Sequence, residues 1–392
     1  MPQNRWFMLL VLFLVRVSMG FQFQSVASVA PSLVDAFGID YARIGTLIGL
    51  YMLPGVALAL PGGLLGVRFG DKRVTLAALA LMATGGAILG LSDSYTLAVL
   101  GRLLSGIGGA VFSVVMTKML TDWFARREIV AALGIFINSW PVGIGLALLI
   151  QGRLATAYSW PVVFLVTAVL CAISLLLLTL FYRDPPATAA GRDRPAESPR
   201  LTREELSLIC LAGMIWALYN VGYLFTFSFA PLLLQQQGLS VVEAGSLSSL
   251  TMWLSMISVP LGGVLAQRLR VPNLFMLVGF VLTGATLLAL PYLRPSIWPF
   301  VALGLIGGAP AGIIMSLPAE ILRAASRGPG MGVFYTLFYG GMAALPVLGG
   351  WAQDLAGSAA APVRLGASMF FVICGVLLVF RLMQRRLVAV MA

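Results

Sequence analysis

Long uninterrupted apolar runs constrain this chain more than any other feature. Leu76 to Leu91 and Val162 to Leu180 are almost wholly apolar, and a helix needs about 20 such residues to cross the hydrocarbon of a bilayer. Apolar residues make up 60% of the 392 and charged residues only 10%, against roughly 25% charged in soluble domains. A water-soluble core is not built from that ratio. A membrane barrel would alternate apolar and polar residues over strands of about ten, which these runs do not. Suitable blocks fall at 6–30, 44–66, 74–92, 96–118, 129–151 and 160–181, then at 206–232, 244–266, 273–291, 297–319, 330–353 and 365–384. The expected fold class is an all-α membrane protein with twelve transmembrane helices.

The polar stretch from Tyr182 to Glu205, rich in Pro, Arg, Ala and Glu, is the one long linker. It divides the chain into six-helix bundles at 1–181 and 206–392, joined by 182–205. The two halves repeat each other. An offset of 200 pairs Pro31 with Pro231, Gly38 with Gly238, Gly45 with Gly245, Gly63 with Gly263 and Arg68 with Arg268. After a two-residue slip, an offset of 198 pairs Asp122 with Glu320, Gly134 with Gly332, Phe136 with Phe334 and Gly143 with Gly341. Parallel six-span repeats are a recognised plan for secondary transporters, with the substrate site near mid-bilayer.

Charge placement orients the chain. Nineteen basic residues, among them Arg5, Lys72, Arg73, Lys118, Arg126, Arg127, Arg192, Arg194 and Arg200, fall on one side, and only Arg43, Arg153, Arg294 and Arg364 on the other. The positive-inside rule puts both termini in the cytoplasm. Most of the formal +11 is thus topological, and no nucleic-acid partner is expected. Ser28-Val29-Ala30 has the look of a signal-peptide cleavage site, but Arg16 interrupts the apolar run and Pro31 follows the cut, so the segment reads as a retained span.

Zero histidines exclude a Ser/His/Asp triad, a histidine base and a His-ligated metal. Cys171, Cys210 and Cys374 each lie in an apolar run with no CxxC pair, so they read as small buried hydrophobes. Neither metal nor cofactor is expected, and no cluster of acid, base and nucleophile suggests an enzyme.

Three motifs carry a resemblance. The loop after the second span reads Gly63-Leu64-Leu65-Gly66-Val67-Arg68-Phe69-Gly70-Asp71-Lys72-Arg73, and Gly263-Val264-Leu265-Ala266-Gln267-Arg268 echoes it. Span four carries Arg102-Leu103-Leu104-Ser105-Gly106-Ile107-Gly108-Gly109, and span five Trp140-Pro141-Val142-Gly143-Ile144-Gly145. Over essentially the whole chain this resembles the major facilitator superfamily, with its G-x-L-x-D-R-x-G-R-R loop, its R-x-x-x-G-x-G pattern and its Gly-Pro motif. The resemblance implies alternating access between two pseudo-symmetric bundles, a functional monomer, and conformational roles for Gly63, Arg68, Gly70, Asp71, Gly106 and Pro141. The loop aspartate is replaced by Val67, so the family's lock from that carboxylate either passes to Asp71 or is absent. The Gly-rich run at 106–109 follows no strand and reads as close helix packing rather than a dinucleotide loop.

Two arginines, Arg16 and Arg102, lie inside spans, where a cation costs about 2.5 to 3.5 kcal/mol on insertion scales and faces a polar cavity. All fourteen carboxylates fall outside mid-membrane positions. The missing charge is expected to arrive as substrate, because guanidinium groups suit bidentate recognition of carboxylates. Arg16, Gly20 and Gln24 share one helical face, as do Arg102, Gly106, Gly109 and Ser113. For Arg102 a second reading is open, in which it holds backbone carbonyls without touching cargo. Further lining candidates are Gln22, Asn138, Trp216, Tyr219, Asn220, Tyr223, Trp253, Tyr335 and Tyr339, with ordinary helix packing as the alternative for each aromatic. The N-terminal half would supply charge and the C-terminal half shape.

The reading is a secondary transporter of a small anion, an organic carboxylate, working by anion exchange or proton symport with a co-transported proton or counter-anion. Asp35, near the external end of span one, is the nearest titratable candidate, and its simplest role is that of a solvated loop acid. Rivals are an exporter of neutral or cationic compounds and a non-transporting receptor or scaffold. Arginine outnumbers lysine 23 to 2, a usage consistent with a GC-rich bacterium and hence a multi-pass bacterial inner-membrane protein.

Overall fold

The computed structural model describes residues 4–58, 61–124, 128–185, 201–323 and 326–391. Arg126, Arg127 and the linker positions Arg192, Arg194 and Arg200 lie outside them. Among the described residues there is no strand, and twelve helical stretches are long and apolar enough to cross a membrane. The chain forms two compact units, Met1–Arg194 and Pro195–Ala392.

In the N-terminal unit, span one is Arg5–Ser28, span three Asp71–Gly90, span four Tyr95–Phe124 and span six Trp160–Phe181. Span two is built from Tyr41–Leu50, Leu53–Leu58 and Pro61–Phe69, and span five from Ile129–Ile137 and Ser139–Ala157. In the C-terminal unit, span seven is Arg203–Gln236, span eight Val241–Leu269, span nine Pro272–Ala289 with the turn Leu290–Tyr292, span eleven Arg327–Ala356, and span twelve starts at Ala360. Span ten is assembled from Trp298–Gly308, Ala311–Ile314 and Leu317–Ile321.

The interruptions, which apolar length alone does not reveal, follow the prolines. A proline has no N–H for the carbonyl four residues back and its ring collides with that carbonyl. Helices accordingly end at Leu50, Ile137 and Ile314, each four residues before Pro54, Pro141 and Pro318. Pro231, Pro260 and Pro346 are instead carried inside continuous helices.

The repeat seen in the sequence recurs in the backbone. Gly38 (φ +60°) and Gly238 (φ +98°) both have positive φ, as do Gly70 (φ +88°) and Arg270 (φ +56°), each pair 200 residues apart. Asp40 and Ser240 are N-caps at matching positions, accepting hydrogen bonds from the amides of Arg43 (2.8 Å) and Glu243 (3.3 Å). Pairings match as well. Span one packs on five and six, two on four, and three on four and six; seven packs on eleven and twelve, eight on ten, and nine on ten and twelve.

Spans one and five run parallel at a constant register. Arg5 pairs with Glu128 at 2.7 Å, Arg16 reaches Ser139, and Gly20 meets Gly143, each contact spanning 123 residues. The last is a backbone contact, since a Cβ on Gly20 would stand 2.5 Å from the Trp140 carbonyl oxygen. In the other unit the side chains of Ala217 and Phe225 lie against Gly341 and Gly349, each contact spanning 124 residues. The start of span seven is tied through Glu205, which accepts from Arg323 Nε and Nη2 (2.8 Å each) and Ser326 Oγ (2.6 Å). Its hydrogen bonds to Glu205 and the charge of that carboxylate hold the Arg323 guanidinium above its ordinary pKa. Arg5 and Glu205 are repeat mates, so the two units fasten equivalent places with the charges inverted.

Candidate functional site

The site is built most clearly around the break in span five. Pro141 deprives the Ile137 carbonyl of its helical donor, and the helix stops there and restarts at Ser139. The side-chain donors gathered at the break meet the carbonyl one residue earlier, that of Phe136. Ser139 Oγ donates to the Phe136 carbonyl at 2.5 Å, and Arg16 Nη1 donates to the same oxygen at 3.1 Å and to Ser139 Oγ at 3.4 Å. The Arg16 guanidinium also lies over the Phe136 ring, 4.5 Å from its centroid, a cation–π arrangement. Arg16 is the twelfth of 24 residues in span one and is half-buried. It therefore carries a fixed positive charge in mid-span, presented at a helix discontinuity.

Arg102 sits differently. Only 1% of its surface is exposed, and its Nε, Nη1 and Nη2 donate to the carbonyls of Leu47 (2.9 Å), Gln22 (3.1 Å) and Phe23 (2.7 Å). The Tyr51 ring lies 4.5 Å from the guanidinium carbon. Of the two roles open to it from sequence, the geometry has Arg102 tying spans one, two and four together. Gln151 Nε2 adds a bond to the Phe21 carbonyl at 2.7 Å, so three successive carbonyls of span one are gripped by side chains from spans four and five. Gln22 joins in, its amide nitrogen donating to Met82 O at 2.8 Å and its oxygen accepting from Tyr51 at 3.4 Å. Gln24 is buried on the same helix. Asn138 is half-buried and donates to Gly134 O at 3.1 Å, within its own helix.

Of the residues assigned conformational roles, Asp71 heads span three and accepts from Lys118 on span four, which also pairs with Asp122 at 3.0 Å. Val67 at the missing aspartate is 73% exposed, so Asp71 is the acid of this loop that is tied to a neighbouring span. Arg68 is exposed with its guanidinium over Phe69, Gly63 lies in the helix Pro61–Phe69, and Gly106 faces the backbone of Tyr51.

In the C-terminal unit the predicted aromatics separate into two sets. Tyr219 and Tyr223 are 5% and 8% exposed, and their hydroxyls donate to Gly307 O and Leu303 O of span ten at 2.8 Å each. Burying those hydroxyls requires such partners, and both rings serve as packing between spans seven and ten. Tyr339 is buried as well. Trp216, Asn220, Trp253 and Tyr335 remain half-buried. Trp216 lies nearly parallel to Tyr219 (5.7 Å, 13°) and to Phe334 (6.4 Å, 19°). Sequence reasoning did not single out Phe136 and Ser139 as partners of Arg16, although Pro141 marked the break that exposes them.

Among the described residues no group of His, Cys, Asp and Glu could hold a metal. Comparison with known proteins gives a consistent picture. The model of the Major Facilitator Superfamily matches residues 12–346 and 211–389. A hexuronate transporter of Bacillus subtilis is 21% identical over 268 residues, 66% of this chain and 64% of that protein. A gallate transporter of Pseudomonas putida is 25% identical over 409 residues, covering 95% and 89%. The solved structure of a bacterial homologue of the human lysosomal transporter Spinster, inward-facing and occupied, superposes with a TM-score of 0.74 at 18% identity and covers 98% of both chains.

Proposed function

Because the chain belongs to the major facilitator superfamily, and is a membrane transporter rather than an enzyme, we propose that its cargo is a small organic carboxylate carried by alternating access. The observation that carries this is Arg16: a half-buried guanidinium in mid-span, in a chain whose described carboxylates lie in loops or near span ends. Keeping a cation there is costly, and a planar fork of donors matches a carboxylate. The names of the hexuronate and gallate relatives, both carboxylate carriers, support the same chemistry.

In this reading Arg16 contacts the cargo. Arg102, Gln22 and Gln151 hold span one so that Arg16 is presented in a fixed orientation, and Tyr219 and Tyr223 do the same for span seven. Trp253 and Tyr335 are lining candidates, and Asp71 with Lys118 steadies the loop between spans two and three. The protein works as a monomer in a bacterial inner membrane with both termini in the cytoplasm. An inside-negative potential pushes an anion outward by about 2.3 kcal/mol per charge per 100 mV, so uptake requires exchange for another anion or a co-transported proton.

The test is uptake into vesicles loaded or unloaded with counter-anion. Uptake of a carboxylate that Arg16→Ala abolishes, at unchanged protein level, is the expected result. Equal uptake by the variant would remove the basis of the proposal.

A further inference from the structure

Arg16 has a structural counterpart in the other half. The residue 200 positions on is Trp216, and the residue 198 positions after Phe136 is Phe334. Each unit thus sets one side chain of its first span against the same phenylalanine of its fifth: Arg16 over Phe136 at 4.5 Å, and Trp216 against Phe334 at 6.4 Å and 19°. One position carries a charge and its mate a flat ring.

Trp216 is held at a defined angle. Tyr219 stacks beside it at 13°, Phe338 lies 6.2 Å away at 32°, and Asn220 Nδ2 donates to its backbone oxygen at 2.8 Å. Tyr219 is itself fixed by its bond to Gly307 O, and Phe334 is fully buried. Trp216 stays half-buried with the rings of Tyr219, Phe334 and Phe338 beside it, and among the described residues none accepts a hydrogen bond from its Nε1–H. A preset, half-buried indole whose donor no described residue uses is suited to a planar, electron-rich partner, because offset or edge-on contact between rings adds attraction beyond area burial.

Resting on the carboxylate reading above, we propose that Trp216 is a specificity-determining residue that contacts a planar ring of the cargo, so that the substrates are aromatic or otherwise flat carboxylates in preference to saturated ones. The selectivity between rings, rather than overall affinity, is what Trp216 sets.

The experiment measures binding of benzoate, gallate, cyclohexanecarboxylate and the uncharged benzamide to the purified full-length protein, to Trp216→Leu and to Trp216→Phe, with the thermal stability of each ligand-free variant recorded alongside. Wild type should prefer the planar acids over cyclohexanecarboxylate. Trp216→Leu should weaken benzoate and gallate roughly three- to tenfold while cyclohexanecarboxylate changes by less than about twofold, and Trp216→Phe should keep most of the preference. An equal loss for planar and saturated acids would make Trp216 a packing residue and overturn the proposal, as would no loss at all. Benzamide binding as well as benzoate would instead defeat the carboxylate reading, and binding of none of the probes would overturn both.

Discussion

Replacing Arg102 by methionine tests whether the guanidinium is a tie between helices. Methionine fills much of the same volume without charge, so little cavity forms. The substitution removes three charge-assisted hydrogen bonds, to Leu47, Gln22 and Phe23, each contributing about 1.5 to 3 kcal/mol net, or about 4.5 to 9 together. It also removes the contact with the Tyr51 ring at 4.5 Å, about 1 to 2 kcal/mol when desolvated. Against this stands the relief of burying a cation, about 2.5 to 3.5 kcal/mol. The difference favours arginine, with a central value of about 5 kcal/mol. Arg102→Lys should recover part of the loss, because one ammonium cannot span carbonyls on two helices as a fork does. The assay is equilibrium unfolding of purified protein in mixed micelles. Destabilisation by a few kcal/mol is expected for Arg102→Met, and a variant as stable as wild type would refute the reasoning.

Two further outcomes follow from the paired backbone turns and the paired ties. Arg270 sits in a left-handed conformation at the position where its repeat mate is glycine, so Arg270→Gly should raise stability by about 1 kcal/mol, whereas Gly70→Ala at φ +88° should lower it by about 1 to 3 kcal/mol; thermal unfolding of both variants checks the pair. The Arg5 to Glu128 ion pair predicts that Arg5→Glu lowers thermal stability and that Arg5→Glu combined with Glu128→Arg restores it. Failure of the double variant to recover would mean that the pair does not fasten spans one and five.

The fold was legible because membrane solvation writes itself into one dimension: a span is a run of apolar residues, and the 200-residue offset shows at Gly38 and Gly238 before any helix is placed. The interruptions were partly legible, since Pro54, Pro141 and Pro318 each stand four residues after a helix end, yet Pro231, Pro260 and Pro346 do not break theirs. The presence of a proline therefore does not by itself say whether a span is interrupted. The same limit governs the site. Tyr219 and Tyr223 share a helix face by their spacing, but only packing shows that the face meets span ten and takes up both hydroxyls. Arg102 left two roles open in the sequence because its acceptors are backbone carbonyls 55 to 80 residues away, and any residue type can supply those. Arg16 was singled out by its charge alone; its seat on Phe136 and Ser139 comes from the parallel register of spans one and five.

The central claim is that Arg16 meets a carboxylate. Calorimetric titration of the purified protein with an aromatic carboxylate and its carboxamide, on wild type, Arg16→Lys and Arg16→Ala, addresses it most directly. Two charge-assisted bonds at about 1.5 to 3 kcal/mol each, offset by the water bonds the bound acid would regain in the variant, lead to an expected loss of about 2 to 4 kcal/mol, or about thirty- to a thousandfold in Kd. Loss of carboxylate binding in Arg16→Ala, an intermediate value in Arg16→Lys and weak carboxamide binding throughout are the predicted results. Equal affinity of wild type and Arg16→Ala for the carboxylate would contradict the claim.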